Sequence, residues 1–175
     1  MTPISDPSFQ HYIILDSCIL EYLLHQEMND VLTAQIEKWR GKNYDVGISE
    51  LTYAELIDGA FLNKEAQVIE LLDQFYTFPI TQRIVKGAGK LGSVYKQEFP
   101  SEKGISMGDK IIAATSVIYG CPVMTANAKD FPQPFFHVKN FANITYYKES
   151  KGKMIYIALL FPNYEYIKHT FNMRH

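Results

Sequence analysis

Three acidic residues recur where strand-like segments give way to helical ones. Asp16 follows the apolar run 12–15, Glu55 lies shortly after the strand-like run 45–48, and Asp109 opens a helical segment that leads to another strand. In an open parallel sheet, the carboxyl ends of strands and the following helix starts meet along one edge. We therefore expect the three carboxylates to lie within several ångström of one another. Like charges at that separation cannot all stay ionised without a partner.

A divalent cation would supply the missing positive charge. No lysine or arginine recurs beside all three acids, so a basic partner would have to come from elsewhere in the chain. Ligation by oxygen atoms alone selects Mg²⁺ or Mn²⁺ over zinc. The sequence therefore predicts a metal site made of Asp16, Glu55 and Asp109.

Helix capping is the competing explanation for each of these acids. Thr52-x-x-Glu55 and Ser106-x-x-Asp109 both fit the capping-box pattern, and Asp16 is itself a good N-cap residue. Capping explains each acid separately, but it does not require three of them on one edge. The conjunction favours a site.

Strands and helices alternate along most of the chain. The predicted strands are 12–15, 45–48, 78–80 and 122–125, and the predicted helices are 17–24, 29–39, 52–62, 66–75, 83–99 and 109–119. Gly120 is the expected C-cap of the last of these helices. This order predicts an α/β fold with a mostly parallel sheet and helices on both faces.

The last part of the chain changes character. Strand-like runs at 144–147 and 154–161 flank a basic turn, which predicts a β-hairpin, and a short final helix is expected from Asn163. We expect residues 1–140 to form the main domain and residues 141–175 to form an extension that packs on it.

Charge and composition set broad limits on function. The 175 residues carry a net charge of −2, but residues 137–175 hold six basic and two acidic side chains, so this tail carries +4 and the rest −6. An acidic body with a basic tail suits a protein that holds cations in one place and polyanions in another. An unevenly charged surface without function fits these counts equally well. No apolar run is long enough to cross a bilayer, and the two cysteines form no disulfide or metal pattern, so a cytoplasmic protein is expected.

Four segments of the chain resemble the motifs of PIN-domain nucleases, and most closely those of VapC-type toxins. They are residues 14–18 (ILDSC), 48–56 (ISELTYAEL, with Gly59 following), 108–115 (GDKIIAAT) and 123–131 (VMTANAKDF). Their order and approximate spacing agree with the family over residues 12–139. Each motif is loose alone, and four in order are fairly specific.

The resemblance implies a three-layer PIN-like fold and a Mg²⁺-dependent endoribonuclease, with Mn²⁺ as an alternative metal. The metal-binding acids would be Asp16, Glu55 and Asp109. The chain would be the toxin of a type II toxin–antitoxin pair, with a small antitoxin whose tail blocks the acidic pocket. It would also form a homodimer through its helical side.

The fourth family acid falls at Asn127, where this chain has an amide. An Asn oxygen can still bind Mg²⁺, and Asp130 is the other candidate for a catalytic role there; the alternative is that both residues belong to a turn. Ser17 and Thr125 are candidates for orienting a ligand or water. Lys110 and Lys129 are candidate phosphate contacts, although surface lysines without any contact are commoner.

A second function fits the same fold. A PIN-like domain that has lost efficient catalysis would serve as an RNA- or protein-binding module. Asn127 and the C-terminal hairpin motivate this alternative. Metal binding separates the two, because a nuclease of this kind needs the cation and a binding module does not.

Overall fold

A computed structural model describes residues 11–99, 104–148 and 151–172, and in these it contains seven α-helices and six strands. The strands are β1 Tyr12–Leu15, β2 Asp45–Ser49, β3 Tyr76–Phe78, β4 Val123–Thr125, β5 Phe136–Lys148 and β6 Lys151–Pro162. The helices are α1 Ser17–Leu23, α2 Gln26–Arg40, α3 Glu50–Asp58, α4 Glu65–Leu72, α5 Gln82–Glu98, α6 Met107–Tyr119 and α7 Tyr164–Asn172. Among the helices of these segments, none combines the length and the apolar character needed to cross a membrane.

The strands form one sheet in the order β3-β2-β1-β4-β6-β5. β1 pairs in parallel with β2 on one side and with β4 on the other, and β2 pairs in parallel with β3. β6 runs antiparallel to both β4 and β5. The carboxyl ends of β1, β2 and β4 therefore meet at one edge of the sheet, as the sequence predicted.

Alternation along β1 shows how the sheet separates two cores. Ile14 packs into a core formed largely by α5, α6 and α7, whereas Ile13 and Leu15 face a second core formed largely by α1 to α4. All three side chains are fully buried, as expected for a central parallel strand with helices on both faces. The predicted three-layer α/β architecture is confirmed.

The positions at which the helices begin show which of the three acids act as helix caps. Asp16 is the N-cap of α1, and Ser106 with Asp109 forms the predicted capping box at α6. The capping box predicted at Thr52 and Glu55 is wrong, because α3 begins at Glu50 and its N-cap is Ser49, whose hydroxyl accepts a hydrogen bond from the main chain of Leu51. Glu55 is thus the sixth residue of α3 and has no capping role.

The C-terminal hairpin is longer than predicted and belongs to the central sheet. β5 starts before residue 140, so the expected domain boundary lies inside this strand. α7 lies against the α5–α6 side, where the hydroxyl of Tyr164 donates to the carbonyl of Val117 at 3.0 Å. Residues 149–150, in the predicted basic turn, lie outside the described segments.

The early helices use most of their apolar side chains inside the monomer. Leu20, Leu23 and Leu32 are buried in the core under α1 to α4. Val31 is 38% exposed, so it is the member of this group that still faces solvent. Burial within the chain therefore accounts for most of the apolar side chains on these helices.

Candidate functional site

Asp16 is the buried acid at the centre of the candidate site. It follows β1 directly, and its main-chain N–H donates to the carbonyl of Met124 at 3.0 Å, next to the end of β4. Its side chain is only 3% exposed. Oδ1 accepts the main-chain N–H of Ser17 at 2.8 Å, and Oδ2 accepts the hydroxyl of Thr125 at 2.6 Å. A buried carboxylate needs such donors, since burial of an unpaired charge is very costly.

Cys18 is part of the same site, although it was not among the site residues predicted from the sequence. Its Sγ lies 3.2 Å from Oδ2 of Asp16 and accepts the main-chain N–H of Ala126 at 3.4 Å. Burial, and then the charge of Asp16, raise the pKa of Cys18 to about 12, so the thiol keeps its proton at neutral pH. Its position two residues after Asp16, in the first turn of α1, is the signal that would have identified it.

A short 3₁₀ turn, Ala128–Asp130, follows β4; Asn127 precedes it and Asp130 is its last residue. The main-chain N–H of Asn127 donates to the hydroxyl oxygen of Thr125 at 2.8 Å, and its side-chain amide donates to Oδ2 of Asp130. Burial raises the pKa of Asp130, and the charges of Asp109 and Asp16 raise it further, whereas Lys129 and the Asn127 amide lower it. Asp130 thus lies in the electrostatic field of the acidic site.

Glu55 reaches the site from α3 and lies against the start of α6. A Cβ atom added to Gly108 would lie 2.9 Å from Oε1 of Glu55, closer than atoms normally approach. Gly108 therefore leaves the space that the Glu55 carboxylate occupies beside Asp109. The sequence showed Gly108 only as part of a motif, and its contact with Glu55 depends on packing between two helices distant in sequence.

The acids of this edge repel one another. The pKa of Glu55 is raised by burial first, and then by the charges of Asp109 and Asp16. Within the described segments, none of Asp16, Glu55, Asp109 and Asp130 forms a salt bridge. The site therefore concentrates negative charge without a protein cation paired to it, which is the expected property of a site for a positive ligand.

The carboxylates are gathered but not arranged as ligands around one point. In the part of the chain that the structure describes, no group of three His, Cys, Asp or Glu side chains is placed to hold a metal ion. One reason is that Oδ2 of Asp109 accepts the main-chain N–H of Ser106 at 2.9 Å and so completes its capping box.

The donor set nevertheless fits a hard divalent cation. It consists of the carboxylates of Asp16, Glu55, Asp109 and Asp130 with the amide of Asn127. Burial, and then the charges of neighbouring acids, raise the pKa of both Glu55 and Asp130, and a cation would offset both effects. Oxygen ligands of this kind suit Mg²⁺ or Mn²⁺. Joint ligation would require side-chain rotation, which the exposed Glu55 can make readily.

The remaining predicted contacts differ in their surroundings. The Ser17 hydroxyl lies 3.5 Å from Oδ1 of Asp16, at the limit for a hydrogen bond. The ammonium of Lys110 donates to the carbonyl of Ile105 at 2.8 Å, and its alkyl chain lies beside Gly92, so Lys110 stabilises the start of α6. Lys129 is exposed next to Asp130 and remains accessible.

Comparisons with known proteins agree with this architecture. Ribonuclease VapC10 of Mycobacterium tuberculosis (strain H37Rv) is 33% identical over 91 residues, an alignment that spans 52% of this chain and 66% of that relative. A chain of a toxin–antitoxin complex from Klebsiella pneumoniae is 25% identical with a TM-score of 0.52, covering 70% of this chain and 92% of that one.

A second solved structure supports the fold. VapBC2 from Rickettsia felis, bound to a DNA fragment from its promoter, contains a chain that is 21% identical with a TM-score of 0.57, covering 69% of this chain and 90% of that one. The predicted resemblance to VapC-type proteins is therefore confirmed. The model of the PIN domain family matches residues 13–134. This chain belongs to the PIN domain family.

Proposed function

We propose that this protein is a metal-dependent endoribonuclease that hydrolyses RNA phosphodiester bonds, and that it is the toxin of a type II toxin–antitoxin pair. The observation that carries the proposal is the group of acids around buried Asp16, which form no salt bridge within residues 11–99, 104–148 and 151–172. Such a group is costly unless it binds a cation. The similarity to Ribonuclease VapC10 supports the nuclease assignment.

In this proposal the acids of the site bind the metal ion. Asp16, Glu55 and Asp109 would hold Mg²⁺, with Mn²⁺ as an alternative, and Asp130 with Asn127 would complete the acidic edge. When bound, the cation would supply positive charge to the phosphate and lower the pKa of the attacking water.

The neighbouring side chains would position the acids and the RNA. Thr125 holds Asp16 through its hydroxyl, and Ser17 lies at the opposite carboxylate oxygen. Lys129 would contact an RNA phosphate, since it is exposed beside Asp130. Lys110 is omitted from this role because its ammonium is bound to Ile105.

The partners follow from the same assignment. The solved relatives are toxin–antitoxin complexes, which supports a small antitoxin as the partner of this chain. We also propose a homodimer, as the family resemblance implies, and a cytoplasmic location, where the protein would meet its RNA substrate. Residues 1–140 and 141–175 remain the proposed domain and extension, with the hairpin of the extension joined to the sheet of the domain.

The alternative is a binding module that has lost catalysis. Its main support was the amide at Asn127, but the structure places the carboxylate of Asp130 beside that amide and in the field of Asp109 and Asp16. A fourth acid is thus available at this edge. This arrangement favours the nuclease.

Cleavage of a defined RNA by the purified protein tests the proposal. We expect cleavage with Mg²⁺, none with EDTA, and a loss of about 100-fold or more in Asp16→Asn and Asp109→Asn, since both remove charge from the metal site. Asp30→Asn, an exposed aspartate on α2, is the matched control and should cleave normally. Metal-independent cleavage, or an active Asp16→Asn variant, would contradict the proposal.

A further inference from the structure

Two hydrogen-bond relays converge on one oxygen of Asp16. In the first, the main-chain N–H of Asn127 donates to the Thr125 hydroxyl oxygen at 2.8 Å, and that hydroxyl donates to Oδ2 at 2.6 Å. In the second, the main-chain N–H of Ala126 donates to Sγ of Cys18 at 3.4 Å, and the thiol donates to Oδ2 at 3.2 Å. Both relays begin in the segment that follows β4.

The proton count fixes the direction of both relays. A hydroxyl and a thiol each carry one proton, and here a main-chain N–H already occupies an acceptor position of each. The 3.6 Å contact between Cys18 and Thr125 is thus not needed to satisfy either group. Each side chain directs its single proton to Asp16.

Because both donors bond to Oδ2, the two carboxylate oxygens of Asp16 differ in their capacity to accept further bonds. A carboxylate oxygen has two lone pairs. Those of Oδ2 are both taken, by Thr125 and Cys18, whereas Oδ1 accepts one short bond, from the main chain of Ser17, and one long bond of 3.5 Å, from the Ser17 hydroxyl, which a stronger ligand can displace. Oδ1 is therefore the oxygen with capacity for a further ligand.

We propose that Thr125 and Cys18 together form a clamp that orients Asp16, so that Oδ1 faces the ligand and Asp16 is coupled to the turn that carries Asn127 and Asp130. Both clamp residues are positioning residues, because they act through their hydrogen bonds to Asp16. The inference rests on the proposed function for its consequence, since an oriented Asp16 matters only if it binds the cation.

Mn²⁺ binding, measured by isothermal titration calorimetry, tests the clamp. Mutating a residue that hydrogen-bonds to a metal ligand typically weakens metal affinity by about 10- to 100-fold. We expect Thr125→Val and Cys18→Ala each to weaken Mn²⁺ binding by about 10-fold, with the larger effect at Thr125 because its bond is shorter and a thiol is a weak donor. Thr125→Ser and Cys18→Ser, which keep a donor, should restore affinity close to that of the wild type.

Matched controls separate positioning from packing. Cys121→Ala removes a fully buried thiol that belongs to the other core, and Thr115→Val removes a buried hydroxyl that bonds the carbonyl of Ile111 within α6. Both should bind Mn²⁺ as the wild type does. Equal losses in the controls and the clamp variants, or no rescue by the serine variants, would overturn the clamp.

A metal-free measurement distinguishes failure of the clamp from failure of the proposed function. If the wild type does not bind Mn²⁺, the proposed function is wrong, and the clamp is then judged by urea unfolding without metal. Thr125→Val and Cys18→Ala should each lower the unfolding midpoint clearly more in the wild type than in an Asp16→Ala background. Equal shifts in both backgrounds would show that neither side chain acts through Asp16.

Discussion

The hydroxyl of Thr125 donates to Oδ2 of Asp16 at 2.6 Å, and this bond joins the end of β4 to the end of β1. Thr125 is fully buried and Asp16 nearly so. Because Thr125 cannot turn to water, its hydroxyl proton depends on Asp16 for an acceptor. The relationship makes Asp16 a structural residue as well as a candidate ligand.

The first prediction separates these two properties of Asp16. Asp16→Ala leaves the Thr125 hydroxyl without its acceptor and should lower the free energy of unfolding by about 1–3 kcal/mol. Asp16→Asn keeps a side-chain oxygen that can accept this bond and should cost clearly less, while losing cleavage. Urea unfolding followed by circular dichroism measures both, and equal destabilisation by the two variants would refute the explanation.

A second prediction concerns Glu55 and pH. A carboxyl group whose pKa is raised on folding binds its proton more tightly in the folded state, so its stabilising contribution is present at low pH and disappears as pH rises through the raised pKa. Without divalent metal, Glu55→Gln should therefore be more stable than the wild type at pH 7. Near pH 3, where Glu55 is protonated in both states, the two proteins should be alike.

Thermal unfolding from pH 3 to pH 8 in EDTA measures this difference. Glu70→Gln, at an exposed position of α4, is the control and should show no such gain. Adding Mn²⁺ should make the wild type more stable than Glu55→Gln at pH 7, because the wild type gains a ligand that binds only its folded state. If Glu55→Gln is less stable than the wild type from pH 3 to pH 8 in EDTA, the Glu55 charge is not destabilising and the prediction fails.

A third prediction concerns the space beside Glu55. Gly108→Ala places a Cβ 2.9 Å from Oε1 of Glu55, so the carboxylate must move. Because the end of that side chain is flexible and alanine favours helix, stability should be unchanged or slightly higher. RNA cleavage should fall by about 10-fold, as for a displaced ligand.

The control for Gly108 is another helical glycine. Gly89 of α5 has open space where a Cβ would lie, so Gly89→Ala should raise stability by up to about 1 kcal/mol without affecting cleavage. Normal cleavage by Gly108→Ala would mean that the position of Glu55 is unimportant for the reaction.

A fourth prediction separates capping from catalysis at α6. Ser106→Ala removes the cap that receives the main-chain N–H of Asp109, which should cost about 1 kcal/mol and leave measurable cleavage. Asp109→Asn should retain most of the stability and lose cleavage. Differential scanning calorimetry paired with the RNA assay checks both, and the reverse pattern would mean that Asp109 acts mainly as a cap.

The arrangement of the sheet was predictable because its signal is local. Short apolar runs next to segments of helical periodicity identified β1, β2 and β4, and parallel pairing then placed Asp16 and Thr125 at the same edge. The start of α3 was misplaced because Ser49 and Thr52 are both good N-cap residues. Only the backbone path after β2 decides that Ser49 caps the helix.

The finer structure of the site depends on contacts between distant residues. Cys18 reaches the main chain of Ala126, which is 108 positions away, and no local pattern encodes that contact. The carboxylate positions also depend on rotamers, and one oxygen of Asp109 is engaged by the main chain of Ser106 in its own capping box. Sequence therefore identified the acids but not their arrangement.

The most direct test of the account is Mn²⁺ affinity in single variants of the three acids. We predict that the wild type binds Mn²⁺, that Asp16→Asn, Glu55→Gln and Asp109→Asn each weaken binding by at least about 10-fold, and that Asp30→Asn does not. Such a result would show that the three acids share one cation. A wild type that binds no Mn²⁺, or affinity that survives the loss of any one of these carboxylates, would contradict it.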